Sequence, residues 1–219
     1  MADTTTTTQQ TIKLEVWSDY VCPFCYLEIP VFEDFAQQIA QPLEIDWHAF
    51  ELRPAPEPTL DPKGAYLHRV WEQSVYPMAK QRGLALKLPP VQPYSKQALA
   101  AAEYAKDTSN FEAFHQEMFR AFFEQGQDIS NDEVIAEVAQ AAGLEAAAVV
   151  AAAKSSLYQN RVDADRQAAI RRGVSGVPAV FMSLSNSPRI LQVSGAADVD
   201  LLLQAAAKLS SKENQQVIA

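Results

Sequence analysis

Ile12, Leu14 and Val16 alternate with Lys13 and Glu15 in the segment IKLEVW, the period of two expected of a strand with one buried face. Leu43, Ile45 and Trp47 alternate with Glu44, Asp46 and His48, predicting a second strand over 43–52. Between them, Leu27, Val31, Phe35 and Ile39 recur at helical spacing, with Phe32 beside them. Pro23 suits the first turn of this helix, where a missing N–H costs nothing. Pro30 lies inside it and is expected to kink it, because proline removes one ladder bond. A strand, helix and strand of this length fit a right-handed parallel crossover.

The proline-rich turn RPAPEPTLDP closes that unit. Helical periodicity then runs through 64–82, 95–106, 110–125, 131–142 and 145–172, the last predicted to break near Ser155. Phe111, Phe114, Met118 and Phe122 form an apolar stripe, which reads as core packing. Ser130 followed by Glu133 predicts a capping box. Gly126, Gly143 and Gly173 each follow a helical run, as C-caps do. Strand chemistry returns in AVFMSL and RILQVSG, which flank a short turn at SNSP and predict an antiparallel hairpin. A helix over 198–210 closes the chain. Neither strand-bearing half makes a sheet alone. Joined, they make four strands with helices on both faces, so the chain reads as one α/β domain carrying an inserted helical block.

Composition narrows the partners. Eighteen basic against 27 acidic residues give a net charge of −9 over 219 residues. That balance argues against a nucleic-acid partner, because phosphate binding needs clustered cations. No apolar stretch approaches the roughly 18 residues of a membrane span. The start, MADTTTTTQQ, lacks the basic and apolar regions of a signal peptide. Residues 1–10 read as a disordered tail, and the location is expected to be cytoplasmic.

The chain has two cysteines, Cys22 and Cys25, spaced C-x-x-C. They sit after a predicted strand and open a predicted helix. The helix N-terminus offers unpaired N–H groups and a positive dipole end, both of which favour thiolate. Cys22 therefore reads as the nucleophile and Cys25, deeper in the helix, as the resolving thiol. Other readings stand beside this one. A zinc site needs four ligands, and His48, His68 and His115 lack paired metal spacing. A structural disulfide closing so short a loop would constrain the unfolded chain little. A redox-dead remnant of the fold usually loses a cysteine.

The segment Ser18-Asp19-Tyr20-Val21-Cys22-Pro23-Phe24-Cys25-Tyr26 resembles the active-site region of DsbA-like thioredoxin-fold oxidoreductases, nearest their FrnE-like branch. The resemblance continues in Phe50-Glu51-Leu52 with Pro54, in Phe122-Phe123-Glu124-Gln125-Gly126, in Asp128-Ile129-Ser130, in Gly173-Val174-Ser175-Gly176-Val177-Pro178 and in Val193-Ser194-Gly195. It implies a discontinuous thioredoxin-like domain over 11–62 and 155–212, with an all-helical domain inserted at 63–154. It implies a thiol–disulfide oxidoreductase that reduces, forms or isomerises disulfides through a mixed disulfide. It implies that the Val177–Pro178 bond is cis and, with Pro23 and Phe24, shapes a groove for a disulfide-containing protein or small thiol substrate. No tightly bound cofactor is expected, and glutathione is the expected redox partner. The same fold family includes glutathione-dependent transferases and 2-hydroxychromene-2-carboxylate isomerases. Those are the alternative reading, although serine usually replaces their first cysteine.

Strong oxidants of the family carry histidine where this chain has Phe24, which can neither donate to sulfur nor carry charge. The resemblance therefore implies a weaker hold on the thiolate and a more reducing pair. Asp19 reads as a proton shuttle, a helix cap or an exposed turn residue. His48 reads as a satisfied structural histidine. Trp17 and Tyr26 read either as groove or as core, and the Arg171-Arg172 pair as a complement to a helix dipole. Oligomeric state is not set by any of these features.

Overall fold

The computed structural model describes residues 10–211. Apart from Gln10, the expected tail lies outside the described residues, as does the chain from 212 onward. The elements run β1 (Ile12–Ser18), α1 (Pro23–Gln38), β2 (Leu43–Ala49), α2 (Ala65–Val70), α3 (Tyr76–Gln81), α4 (Lys96–Lys106), α5 (Phe111–Phe123), α6 (Asp132–Ala141), α7 (Ala146–Lys154), α8 (Ser156–Arg171), β3 (Ala179–Leu184), β4 (Ile190–Ser194) and α9 (Val199–Ser210).

The four strands form one sheet in the order β2-β1-β3-β4. β1 pairs parallel with β2 and antiparallel with β3, and β3 pairs antiparallel with β4. The alternation in β1 decides what each face buries. Ile12, Leu14 and Val16 lie opposite Leu184, Met182 and Val180. This face packs against Val31, Phe32 and Phe35 of α1 and Leu202, Ala205 and Leu209 of α9. Full burial of each large apolar side chain contributes roughly 1.5–3 kcal/mol. On the other face Trp17, Ala179 and Phe181 meet Phe50, Ala169 and Val174. The first half of α8 packs with the helical block, so α8 spans from that block to the sheet.

Local chemistry accounts for departures from the pattern. β2 ends at Ala49 rather than 52: the Phe50 N–H makes the last bond to β1, donating to the Ser18 carbonyl at 2.9 Å, and the Leu52 N–H donates to the Asp19 carboxylate instead of a strand. The stretch expected as one helix over 64–82 contains a wide turn at Trp71–Val75, where the Tyr76 N–H reaches back five residues to the Trp71 carbonyl. Pro77 follows at once. It has no N–H for the Gln73 carbonyl, and its ring would crowd that oxygen in an α-helix. By contrast α1 runs through Pro30 as one helix. The cap of α6 is Asn131, not Ser130: the Asn131 side chain accepts the Glu133 N–H at 2.9 Å, while the Ser130 hydroxyl donates to Asp128. Ser155 ends α7 and starts α8, as the pattern predicts. Gly126 and Gly173 follow α5 and α8 with φ of +70° and +81°, a region that favours glycine.

Arg172 does more than complement a dipole. It donates to both carboxylate oxygens of Glu15, at 2.8 and 2.9 Å, and lies 4.1 Å from the Phe181 ring centre. Its hydrogen bonds hold the Glu15 carboxyl below the usual range. A second arginine ties the active-site helix to the rest of the molecule. Arg82, after α3, donates to the Leu27 carbonyl at 2.7 Å and the Ala197 carbonyl at 2.6 Å. Glu28 is fully buried beside it and accepts the Ala197 N–H at 3.1 Å. Among the described residues no helix is long and apolar enough to cross a membrane.

Candidate active site

The chain turns from β1 into α1 through Asp19–Cys22. The Cys22 N–H donates to the Asp19 carbonyl at 3.1 Å, and the Cys25 N–H donates to the Cys22 carbonyl at 3.1 Å. Cys22 itself occupies the N-cap position of α1, and no side chain caps this helix end. Pro23 is its first residue, as its missing N–H permits.

Both cysteines are free and buried, Cys22 at 5% and Cys25 at 1% exposure. Cys25 lies three residues after Cys22, in the first turn of α1. Burial, and then the neighbouring Cys22 side chain, push the Cys25 thiol well up. The Asp19 backbone and Ser18 oppose that shift without overcoming it. Cys25 is thus held as a thiol. The Cys22 sulfur lies 3.4 Å from the Val177 carbonyl, which brings the C-x-x-C pair against the segment before β3. The Val177–Pro178 peptide bond is cis. Val177 and Phe24 are half-buried against the same core as the cysteines, while Pro178 is buried. Of the residues expected at the site, Cys22 and Val177 are thus brought into contact.

Asp19 is neither an exposed turn residue nor a side-chain cap. It is fully buried, and its carboxylate accepts the Leu52 N–H at 2.8 Å and the Val21 N–H at 3.4 Å. Burial pushes it up to about 6, although those hydrogen bonds pull the other way. Glu51 was not legible as a neighbour. It is buried at 2% exposure, and burial followed by the Asp19 charge pushes it up to about 7. Only the turn after β2 brings the two acids together, and no spacing in the sequence signals that.

Trp17 and Tyr26 belong to the core. Trp17 stacks on His48 with ring centres 4.5 Å apart, and its indole donates to the Asp165 carbonyl at 3.1 Å. Tyr26 stacks on Phe119, and its hydroxyl donates to Glu124 at 2.6 Å. His48 bonds Asp165 at 3.1 Å, as expected of a structural histidine. His115 is buried, and its Nδ1 lies 2.9 Å from the Tyr20 hydroxyl. Among the described residues no group of three or more histidines, cysteines and carboxylates could hold a metal ion.

Known proteins resemble this chain in sequence or in fold. YwbO of Bacillus subtilis (strain 168), an uncharacterized protein, is 34% identical over 161 residues, which is 72% of this chain and 78% of YwbO. The crystal structure of the probable DsbA oxidoreductase SCO1869 from Streptomyces coelicolor superposes with a TM-score of 0.76 at 25% identity, covering 95% of this chain and 94% of that one. The cytosolic disulfide reductase DsbM from Pseudomonas aeruginosa, determined with GSH, has the same fold, with a TM-score of 0.66 at 18% identity over 90% of this chain and all of DsbM. A family model described as DSBA-like thioredoxin domain matches residues 13–207, from β1 through to α9. With β1, the cysteine pair, the helical block and the returning strands all inside that match, the chain belongs to the DSBA-like thioredoxin domain family.

Proposed function

We propose that the protein is a thiol–disulfide oxidoreductase in which Cys22 and Cys25 form the redox pair. One observation carries the reading: Cys22 caps α1 with its sulfur 3.4 Å from the Val177 carbonyl, and Cys25 is buried behind it as a thiol. In the reducing direction the Cys22 thiolate attacks a substrate disulfide. A Cys22–substrate disulfide forms, the substrate S–S bond breaks, and the departing thiolate takes up a proton. Cys25 then loses its proton and attacks the Cys22 sulfur. The Cys22–Cys25 bond forms, and the second substrate thiolate leaves. Two electrons pass from the dithiol to the substrate, and two glutathione molecules restore the dithiol by the reverse exchange, leaving as one glutathione disulfide. Asp19, three residues before Cys22, is the acceptor assigned to the Cys25 proton in this scheme, as a fully buried carboxyl that burial lifts to about 6.

The low exposure of Cys22 favours slim substrates, meaning a cysteine in an extended segment or a small disulfide. Val177 and Pro178 line the approach with Pro23 and Phe24. The division into a discontinuous thioredoxin-like domain (11–62 and 155–212) and a helical insertion (63–154) is part of this reading and is supported by the element order. A reducing, cytoplasmic setting is also part of it, supported by likeness to a reductase described as cytosolic and determined with GSH. The test is insulin reduction with glutathione as electron donor. Wild type is expected to accelerate it, Cys22→Ser to abolish the acceleration, and Cys25→Ser to accumulate a mixed disulfide. Equal rates for wild type and Cys22→Ser would discard the reading.

A further inference from the structure

The Asp19 carboxylate ties the segment after β2 to the residue before Cys22: it accepts the Leu52 N–H at 2.8 Å and the Val21 N–H at 3.4 Å. A hollow of about 50 Å³ opens there, lined by Val21 and Leu52 together with Arg53, Thr59 and Gln92. A polar hollow of that size has room for about three waters, or for one carboxylate group.

Three polar side chains of this hollow have unspent hydrogen-bonding capacity. Arg53, Thr59 and Gln92 are each half-buried, and none of their side chains makes a hydrogen bond, ion pair or ring contact among the described residues. Arg53 is an exception among the cations. Every other half-buried lysine or arginine among the described residues has a partner, namely Arg82, Lys96, Lys106, Arg161, Arg166 and Arg172. A half-buried guanidinium gives up part of its hydration while its five donors stay unused. No acidic residue lines the hollow, in a chain whose net charge is −9.

We propose that Arg53 selects the substrate, its guanidinium binding a carboxylate carried on a short arm from the disulfide that Cys22 attacks. The inference rests on the redox reading above and narrows its substrates to small disulfides with an anionic arm. A guanidinium takes a carboxylate through two parallel hydrogen bonds, and Gln92 and Thr59 can each donate one more. Val21 lines the hollow and directly precedes Cys22, so the bound arm lies one residue from the nucleophile. Cys22 displaces one half of the disulfide and Cys25 displaces the other. The substrate leaves as two thiols, and the pair is left as a disulfide.

Dithiodipropionate, hydroxyethyl disulfide and cystamine test this, because their otherwise matching arms end in carboxylate, hydroxyl and ammonium. The reduced full chain is mixed with each, and the loss of alkylatable thiols is followed by mass spectrometry. Each rate is divided by that of the same disulfide with dithiothreitol, which removes intrinsic reactivity. The dithiodipropionate value is expected to exceed the hydroxyethyl value about tenfold, as fits a charge-assisted contact, and cystamine is expected to be slowest. A net charge of −9 acting without a site would give the reverse order. Arg53→Gln is expected to lose the preference, and Arg53→Glu to turn it toward cystamine. Each comparison is made within one variant, so a general loss of reactivity cancels. The proposal is overturned if wild type shows no preference for the carboxylate, or if either variant keeps it. If none of the three oxidises the pair, the redox reading itself fails and takes this proposal with it. Oxidation by all three without the preference defeats the Arg53 assignment alone.

Discussion

Replacing Asp19 by asparagine makes the burial of this acid measurable. The carboxyl is fully buried and raised from 3.8 to about 6. A rise of about two units corresponds to about 3 kcal/mol between its protonation states. The sign follows from linkage. The folded state holds the Asp19 proton to higher pH than the unfolded state, so the unfolded chain binds fewer protons between about pH 4 and 6. Wild-type stability therefore falls as pH rises through this window, losing about 3 kcal/mol by pH 8. Asparagine keeps an oxygen for the Leu52 N–H and weakens the longer Val21 contact, a pH-independent loss of about 1 kcal/mol. The variant is thus expected to be about 0.5 kcal/mol less stable than wild type at pH 4 and about 2 kcal/mol more stable at pH 8. Removing the Asp19 charge also lets Glu51 ionise more easily, which pushes the same way. Urea unfolding of both proteins at intervals from pH 4 to pH 8 reads the difference directly. A difference that stays constant to within about 0.5 kcal/mol across that range would refute the reasoning.

Other parts of the molecule respond in their own ways. Burial lowers His115 from 6.5 to about 3, so its contribution is complete above about pH 6.5 and declines as pH falls toward 3, by up to about 5 kcal/mol; His115→Phe is expected to show a flatter acid limb in unfolding titrations. Arg82→Met keeps the side-chain stem but removes the clasp over Glu28 and Ala197, with an expected cost of about 2–4 kcal/mol at pH 8. That cost should shrink at pH 5, because Glu28, raised by burial to about 7, is then protonated. Asn131→Ala is expected to cost about 1 kcal/mol of stability, more than Ser130→Ala, and the reverse order in thermal melts would restore serine as the cap of α6.

The sheet was legible because β1 alternates so cleanly: Ile12, Leu14 and Val16 form one buried face in the structure as in the pattern. The break at Ser155 and the placement of both cysteines at the start of α1 were legible for the same reason, since caps and periods are local. The wide turn at Trp71–Val75 was not, because helical periodicity continues across it and only the position of Pro77 hints at it. Asp19 was misread as a candidate for exposure or capping, because its carboxylate partner, the Leu52 N–H, lies 33 residues further along the chain. The same holds for the Glu15–Arg172 pair and the Glu28–Arg82 clasp, whose partners lie 157 and 54 residues apart. Trp17 could not be assigned to groove or core from its neighbours. Its burial depends on His48, Phe181 and Arg172, which come from three other parts of the chain.

The central claim is that Cys22 and Cys25 exchange between dithiol and disulfide as one unit. Equilibrating the protein in glutathione buffers of graded ratio, then counting alkylated thiols by mass spectrometry, tests it most directly. The account predicts one two-electron transition in which both thiols are protected together, and no internal disulfide in Cys22→Ser. Two thiols that remain alkylatable across the whole range, or that become protected independently of each other, would contradict it.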